Sequence, residues 1–304
     1  PPPPGPPRPA HYHGAMSDLH STDLLTIQIR GAVVTLTLAS PATRNALSTT
    51  LMTQLRDTLE TVGERTDLHA VVLAAEGHVF SSGHDLKEIR GASHARQQEI
   101  FDLCADLMLT VQRIPQPVIA QVQGLATAAG AQLVATCDLA VAAETASFAT
   151  PGVRIGLFCS TPGVAIARAL PTKQAMRMLL TGDALTAQQA LAHGLVSDVV
   201  PAEELVEAAQ ALAEKVAEAS SATVALGKAA FYRQLSMSTP EAYAAMAATM
   251  AENAVLPDAQ EGIDAFLTKR TPTWQGREAS DPHAGRGGFT GRSDDREDVR
   301  GQGA

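Results

Sequence analysis

The sequence has few cysteines, no clustered basic residues and no long apolar run. Its three cysteines, Cys104, Cys137 and Cys159, have no CxxC spacing, which argues against a disulfide framework and against a zinc site. A nucleic-acid interface needs clustered Lys and Arg, and the chain, with a net charge of −9, has no such cluster. No apolar run reaches the roughly 18 residues of a membrane span. We therefore expect a protein that binds neither nucleic acid nor membrane.

The two ends of the chain differ in composition from its middle. The first twenty residues are rich in proline and lack the basic-then-apolar order of a signal peptide. Together with the sparse cysteines, this predicts a cytoplasmic protein. Residues 1–20 are predicted to form a disordered leader and residues 275–304 a disordered tail, because neither segment has the apolar residues to pack a core.

Between these ends, strand patterns alternate with helix patterns. Residues 24–30 and 33–38 alternate apolar and polar side chains around Gly31, which predicts a β-hairpin. Ser48 precedes a helical spacing of apolar residues and is a plausible N-cap. Further strands are predicted at 70–74, 117–122 and 138–142, with helices near 97–113 and 127–136. Such alternation favours parallel strands with crossover connections, so residues 21–200 are predicted to form an α/β core.

The last third of the chain has a different pattern. Thr186 is expected to cap a helix that Gly194 ends, and a short strand at 196–200 follows. From Pro201 onward the sequence is almost continuously helical in pattern. Residues 201–274 are therefore predicted to be a helical region that packs on the core or on a neighbouring subunit.

Two loops rich in small residues are candidates for a ligand site. The first, FSSGHDLKE at 80–88, has the small residues that let a ligand approach the backbone closely. The second, VQGLATAAGAQL at 122–133, leads from a strand into a helix, whose first N–H groups and positive dipole end suit developing negative charge. Each loop alone is explained equally well as a tight turn.

Five ordered segments together resemble the enoyl-CoA hydratase/isomerase (crotonase) superfamily. They are RNALS (44–48), FSSGHDLKE (80–88), the segment 123–157, LTGDALTAQQALAHGLVSDVV (180–200) and QEGIDAFLTKR (260–270). The blocks SSGHDLKE, GLATAAG and GLFCSTPG are similar to those of one subgroup in particular. The resemblance implies an α/β crotonase (ClpP-like) spiral of ββα units with a C-terminal helical trimerisation region, and hence a homotrimer or a dimer of trimers.

The resemblance also implies a site for an acyl-CoA thioester. The two peptide N–H groups of the family's oxyanion hole match His84 and Ala129, and Ala in place of the usual Gly is compatible if its φ is negative. Cys159 is a candidate for the wall of the acyl pocket, and Lys269 or Arg270 for the CoA phosphates. The remaining CoA-contacting positions match Arg44, Ala46, Leu47, Ser82, Asp85 and Leu86.

The chain departs from the family at its two catalytic glutamates. The first position holds Gln132 and the second holds Gly152, and neither side chain can act as a general base. A positioned acid or base contributes about 10²–10⁴ in rate, so efficient hydration by the usual route is not expected.

Other side chains near these positions have alternative roles. The His84 imidazole would suit acid–base chemistry near neutral pH, although the motif uses its amide. A nucleophilic Cys159 has no evident base, which favours a buried apolar cysteine. Asp85 is expected to cap the following helix rather than to catalyse. Arg154 follows the missing glutamate and would change which acyl group fits.

Three interpretations remain open from the sequence: a crotonase-type enzyme, an acyl-CoA binder without activity, and a structural scaffold. The first is favoured, because two loops suited to a bound ligand would serve no purpose in a scaffold. No cofactor beyond the CoA of the substrate and no metal ion are expected, since no His, Asp, Glu or Cys cluster has ligand spacing.

Overall fold

A six-stranded sheet that starts with the predicted hairpin forms the centre of the protein. The structure is a computed structural model that describes residues 19–277, so most of the predicted leader and tail lie outside the described residues. β1 (Leu25–Arg30) pairs antiparallel with β2 (Val33–Leu38). Gly31, in the turn, has a φ of +59°, which residues with a Cβ rarely adopt. The hairpin prediction is confirmed.

Parallel strands continue this sheet from β2, as the alternating pattern predicts. Neighbouring strands from β2 onward are all parallel, in the order β1-β2-β3-β5-β7-β10. The four added strands are β3 (Ala70–Ala75), β5 (Val118–Val122), β7 (Leu139–Ala143) and β10 (Asp198–Val200).

A second sheet of four very short strands lies beside the first, and it contains the second strands of the expected ββα units, whose positions the residue pattern did not predict. Its order is β4-β6-β8-β9, with the last pair antiparallel. The strands are β4 (Val79–Ser81), β6 (Leu125–Thr127), β8 (Ser147–Ala149) and β9 (Leu185–Thr186). The long strands β3, β5 and β7 are each followed directly by one of these short strands, which gives the repeated strand–strand–helix unit.

Eleven α-helices occur in residues 19–277, and two of them show the expected N-caps. The Ser48 hydroxyl accepts the Leu51 N–H at 3.2 Å, and Thr186 forms a capping box on the helix that Gly194 ends. The helices are α1 (Thr49–Glu64), α2 (Leu86–Ile89), α3 (His94–Arg113), α4 (Ala129–Thr136), α5 (Ser160–Ala169), α6 (Thr172–Thr181), α7 (Ala187–His193), α8 (Leu205–Ala217), α9 (Ser221–Gln234), α10 (Thr239–Ala254) and α11 (Pro257–Thr268).

The core lies on both faces of the six-stranded sheet. On one face the fully buried side chains of α1, α3 and α4 pack with those of the second sheet, including Phe80 and Phe148. On the other face α8 buries Leu205, Ala209 and Ala213 at i, i+4 and i+8, the spacing of one helical stripe. The C-terminal helical region is therefore joined to the core through α8.

The end of the described chain remains attached to this helical region. The backbone N–H groups of Gln275 and Gly276 donate to the Asp258 carboxylate at 2.7 and 3.0 Å. The Arg277 guanidinium donates to the backbone carbonyl of Gly63 at 2.8 Å. The first three residues of the predicted tail thus have defined partners, and residues 278–304 lie outside the described range.

Candidate functional site

The two amides expected to form an oxyanion hole lie on neighbouring loops. His84 follows β4, and Ala129 is the first residue of α4, directly after β6. Gly83 has a φ of +82°, and a Cβ on it would lie 3.0 Å from the Ala129 nitrogen, so the loops touch at this glycine. Within residues 19–277, neither the His84 N–H nor the Ala129 N–H has a hydrogen-bond acceptor. Two free donors are therefore placed next to each other.

The start of α4 explains why the second donor is free. Ala129 occupies the first turn, where N–H groups have no acceptor within the helix and the dipole is positive. Its φ is not positive, so the condition for Ala at this position is met. Gly130 allows α4 to rest on the end of β4, because a Cβ there would overlap the Ser81 carbonyl oxygen.

In the turn that leads into α4, the residue with a positive φ is Ala128 and not Ala129. Its φ is 52° and its ψ is −118°. A non-glycine residue in such a conformation stores about 1–3 kcal/mol of strain. We expect Ala128→Gly to raise the free energy of unfolding by about 1 kcal/mol, after the entropy cost of glycine is subtracted. Urea denaturation measures the change. Ala135→Gly, inside α4 and without a positive φ, is the control and should lose about 1 kcal/mol. A loss in both variants would contradict the strain argument.

Asn45 holds the first loop in place, a role that the sequence did not reveal. It is fully buried, with φ +50°, and its side-chain amide donates to the Glu76 and Val79 carbonyls at 2.8 Å each. Beside it, the Leu47 N–H donates to the Gly83 carbonyl at 2.8 Å. The signal available in the sequence was an asparagine, which is enriched in the left-handed region, inside RNALS.

The His84 side chain packs against α3. Its ring lies edge-on to Phe101, with centroids 5.2 Å apart, and its buried Nε2 has no partner within the described chain. Burial lowers the pKa of His84 to about 4. The imidazole is therefore neutral at pH 7 and is not poised for acid–base chemistry there.

The first glutamate position holds a buried neutral amide. Gln132 is 4% exposed, and its Oε1 lies 3.8 Å from the Cys104 thiol, which donates to it. Gln132 follows Ala129 by three residues on α4, so both lie on the same side of the helix.

The second glutamate position has no room for a side chain. A Cβ on Gly152 would overlap the Leu157 carbonyl oxygen and would lie 2.7 Å from the Cys159 sulfur. The Leu157 N–H donates to the Gly152 carbonyl at 2.9 Å and closes this turn. Burial raises the pKa of the Cys159 thiol, so the thiol keeps its proton at neutral pH and is not an activated nucleophile.

Three other predicted side chains have defined roles or positions. Asp85 caps α2, because its Oδ1 accepts the Lys87 N–H at 2.9 Å, which confirms the expected capping. Arg154 pairs with Asp183 at 2.7 Å on the surface, so its charge is already compensated there. Lys269 is exposed at the end of α11, in the left-handed conformation.

The predicted CoA-contacting residues form two adjoining segments. The Ser82 N–H donates to the Arg44 carbonyl at 3.0 Å, and the Asp85 N–H to the Leu47 carbonyl at 3.4 Å. Arg44 and Leu86 are exposed and Ala46 is half-buried. The structure thus brings residues 44–47 and 82–86 together, whereas within the described chain Lys269 has no hydrogen bond or ion pair to either segment.

Neither a metal centre nor a membrane helix is found in the part of the chain that the structure describes. Across residues 19–277, no three His, Cys, Asp or Glu side chains are grouped to hold a metal ion. No helix in the same range is long and apolar enough to cross a membrane.

Comparison with known proteins gives consistent similarities over most of this range. The family model described as enoyl-CoA hydratase/isomerase matches residues 28–277. Enoyl-CoA hydratase domain-containing protein 3, mitochondrial, of Rattus norvegicus is 51% identical over 78% of this chain and 79% of its own. A crystal structure of human enoyl-CoA hydratase domain-containing protein 3 has a TM-score of 0.81 at 47% identity, covering 83% of this chain and all of that one. Enoyl-CoA hydratase of Mycobacterium smegmatis gives a TM-score of 0.81 and 47% identity, over 83% of this chain and 98% of that one.

These similarities confirm the predicted crotonase fold and subgroup but overturn the predicted compartment. The relatives from Rattus norvegicus, Mus musculus, Danio rerio and Homo sapiens are all named mitochondrial. The prediction of a cytoplasmic protein is therefore wrong. It rested on sparse, unpaired cysteines, which indicate a reducing compartment but do not distinguish one such compartment from another.

Proposed function

The chain belongs to the enoyl-CoA hydratase/isomerase family, and we propose that it is an enzyme that binds an acyl-CoA thioester and polarises its carbonyl between the His84 and Ala129 amides. The supporting observation is that these two N–H groups lie on touching loops and lack an acceptor within residues 19–277. When the thioester forms an enolate, its oxygen becomes negative. Fixed donors at that oxygen are worth on the order of 10²–10³ in rate each.

The adjoining segments 44–47 and 82–86 are the proposed seat of the CoA moiety. Both approach the first donor loop through backbone hydrogen bonds, and Arg44 supplies an exposed cation for a phosphate. Lys269 would contribute a second cation, and Cys159 a wall of the acyl pocket. No cofactor beyond the CoA of the substrate and no metal ion enter this proposal.

The proposed reaction is not efficient hydration by two carboxylates. Gln132 and the His84 imidazole are neutral, and Gly152 has no space for a base. The second candidate is a protein that binds acyl-CoA without turning it over. It is favoured by the lack of space for any side chain at Gly152. We therefore propose a reaction in which the thioester carbonyl is polarised but no pair of glutamates transfers the protons.

The proposed assembly is a homotrimer or a dimer of trimers. Large apolar side chains are exposed on the C-terminal helices, including Tyr243 at 76% and Phe266 at 82%, and such surfaces mark subunit contacts. The names of the mitochondrial relatives make the mitochondrion the proposed compartment. Sedimentation equilibrium tests the assembly, and a monomer at micromolar concentration would contradict it.

The oxyanion hole is tested by carbonyl polarisation, which does not depend on turnover. An aromatic enoyl-CoA absorbs at longer wavelength when its carbonyl is polarised, so the bound ester should show a red shift. His84→Pro removes the N–H and should abolish the shift. The control His84→Ala keeps the N–H, removes the ring and should retain the shift. If a folded His84→Pro protein keeps the full shift, the proposed hole is wrong.

Turnover separates the two candidate functions. A panel of enoyl- and acyl-CoA esters is offered to the protein, and product masses are recorded. For an enzyme we expect a product whose rate falls about 10²–10³-fold in His84→Pro. Binding of the esters with no product across the panel would support the binder instead.

A further inference from the structure

Glu88 links the first donor loop to the start of α1, although the two lie 39 positions apart in the chain. Its carboxylate accepts the Thr49 backbone N–H, at 3.0 Å to Oε2 and 3.3 Å to Oε1, and it accepts the Thr49 hydroxyl at 3.3 Å. Thr49 is the first residue of α1, and Glu88 lies in α2, the single turn that follows the donor loop. The contact therefore joins the segment that carries the His84 N–H to a helix of 16 residues.

The start of a helix is a favourable place for the Glu88 carboxylate. The first N–H groups of a helix have no acceptor within it, and the positive end of its dipole attracts a negative side chain. The Ser48 hydroxyl accepts the Leu51 N–H at 3.2 Å, which leaves the Thr49 N–H to Glu88. Glu88 is half-buried, and a hydrogen bond to a charged group is roughly twice as strong as one between neutral groups.

Backbone bonds to Leu47 hold the same loop from its other end. The Leu47 N–H donates to the Gly83 carbonyl at 2.8 Å, and this carbonyl belongs to the same peptide as the His84 N–H. After His84, the Asp85 N–H donates to the Leu47 carbonyl at 3.4 Å, which is a long and therefore weak bond. The Glu88 contact is the next attachment along the chain. The His84 N–H thus lies between two firm attachments to the start of α1 and the residues just before it.

We propose that Glu88 is a positioning residue for the oxyanion hole, because its contact with α1 fixes the direction in which the His84 N–H points at the thioester oxygen. A fixed donor stabilises developing negative charge without reorganisation when that charge forms. Without Glu88, the long Asp85 bond is what still holds the chain after His84 to this segment within the described residues, so the donor loses its fixed direction. This inference rests on the proposed function, since it assumes that a thioester oxygen occupies the hole.

The red shift of a bound aromatic enoyl-CoA tests the proposal, because it reports polarisation of the carbonyl and not folding alone. Glu88→Ala removes the acceptor and should reduce the shift that the wild-type protein gives. Turnover of an ester that the protein converts should fall about tenfold, since small displacements of a reacting group cost up to about 10² in rate. Glu88→Gln keeps an oxygen that can accept the Thr49 N–H and should retain most of the shift. Glu88→Asp is one methylene shorter and should not.

Two changes in α1 show whether the contact itself is responsible. Thr49→Pro removes the N–H and the hydroxyl of the other partner. Proline is tolerated at this first helical position, and the extended Ser48, with a ψ of 160°, suits a following proline. Thr49→Pro should reduce the shift as Glu88→Ala does, and the two changes together should add little. Ser48→Ala is the matched control, because it removes the other cap of α1 and should lower the melting temperature without changing the shift.

The outcomes separate this inference from the function it rests on. If the wild-type protein gives no red shift with a bound ester, the proposed oxyanion hole fails. If the wild-type shift is present and a Glu88→Ala protein, folded by its thermal melt, keeps it in full, the positioning role is overturned while the hole stands. The positioning role is also overturned if Ser48→Ala reduces the shift as much as Glu88→Ala, because the loss would then follow from a weakened α1.

Discussion

Lys228→Met is expected to lower the free energy of unfolding by about 3–5 kcal/mol, because it leaves the Asp138 carboxylate, which is only 15% exposed, without its counter-charge. The Lys228 side chain is 6% exposed, and its Nζ lies 2.7 Å from Asp138 Oδ2. The ammonium also donates to the Val111 and Gln116 carbonyls at 2.8 and 2.9 Å. All its donors are thus used inside the protein, and the pair joins α9 to the start of β7.

The remaining contacts of Asp138 explain why the cost is large. Its carboxylate accepts the Val118 N–H at 2.7 Å and the Tyr232 hydroxyl at 2.9 Å. In Lys228→Met these two donors stay, but the positive charge is gone and methionine cannot satisfy the two carbonyls. Loss of a partner is costly even where the intact pair adds little to stability.

Urea denaturation of matched lysine variants measures this effect. Lys215→Met, on exposed α8 surface, is the control and should change stability by less than about 0.5 kcal/mol. The double variant Lys228→Met with Asp138→Asn should lose less than the sum of its single changes, because the two groups interact directly. A loss below about 1 kcal/mol in Lys228→Met would show that α9 is not held by this pair.

The parts of the fold that were predictable are those with local patterns. The hairpin around Gly31, the Ser48 cap and the Thr186–Gly194 helix each depend on a few adjacent residues. The strands of the second sheet could not be located in the sequence because they have two or three residues, such as Val79–Ser81, too few for a periodicity to show. Sequence separation hid the Asp138–Lys228 pair, because the two residues are 90 positions apart in the chain.

The site was predictable in its backbone and less so in its side chains. Ligand-approach loops follow from small residues, and the first turn of a helix always has free N–H groups. The burial of His84 against Phe101, by contrast, depends on where α3 packs. The same holds for the contact between the Cys104 thiol and the Gln132 side chain. Such properties arise from tertiary packing and leave no local pattern in the sequence.

Gly152→Glu is expected to destabilise the protein by at least about 3 kcal/mol and not to create a hydratase. Overpacking of a rigid site costs roughly 1–3 kcal/mol and occasionally more. Here the added Cβ meets the Leu157 carbonyl oxygen, and the Cys159 sulfur is 2.7 Å away. A backbone oxygen cannot rotate aside as a side chain can, and the Leu157 N–H to Gly152 carbonyl bond holds this turn closed.

Smaller substitutions identify the Cβ as the cause. Gly152→Ala adds only the Cβ atom, and it should already produce most of the loss of stability that is expected for Gly152→Glu. Gly227→Ala is the matched control, because a Cβ there meets no atom within 4 Å and alanine favours the interior of α9 by roughly 0.5–1 kcal/mol. Urea denaturation of the two alanine variants gives the difference between their free energies of unfolding. A Gly152→Ala protein as stable as wild type would show that the backbone of residues 152–157 can move at little cost.

The comparison with Gln132 shows why the two lost glutamates are not equivalent. Gln132→Glu changes one atom type in an existing cavity, whereas Gly152→Glu needs space that the Leu157 carbonyl already fills. The double variant should therefore bind acyl-CoA more weakly than Gln132→Glu and show no hydration above it. A double variant that folds and hydrates crotonyl-CoA would mean that the 152–157 turn moves aside for a side chain. Recovery of the two-carboxylate chemistry otherwise requires rebuilding that turn first, because the obstacle is the path of the backbone and not the identity of one side chain.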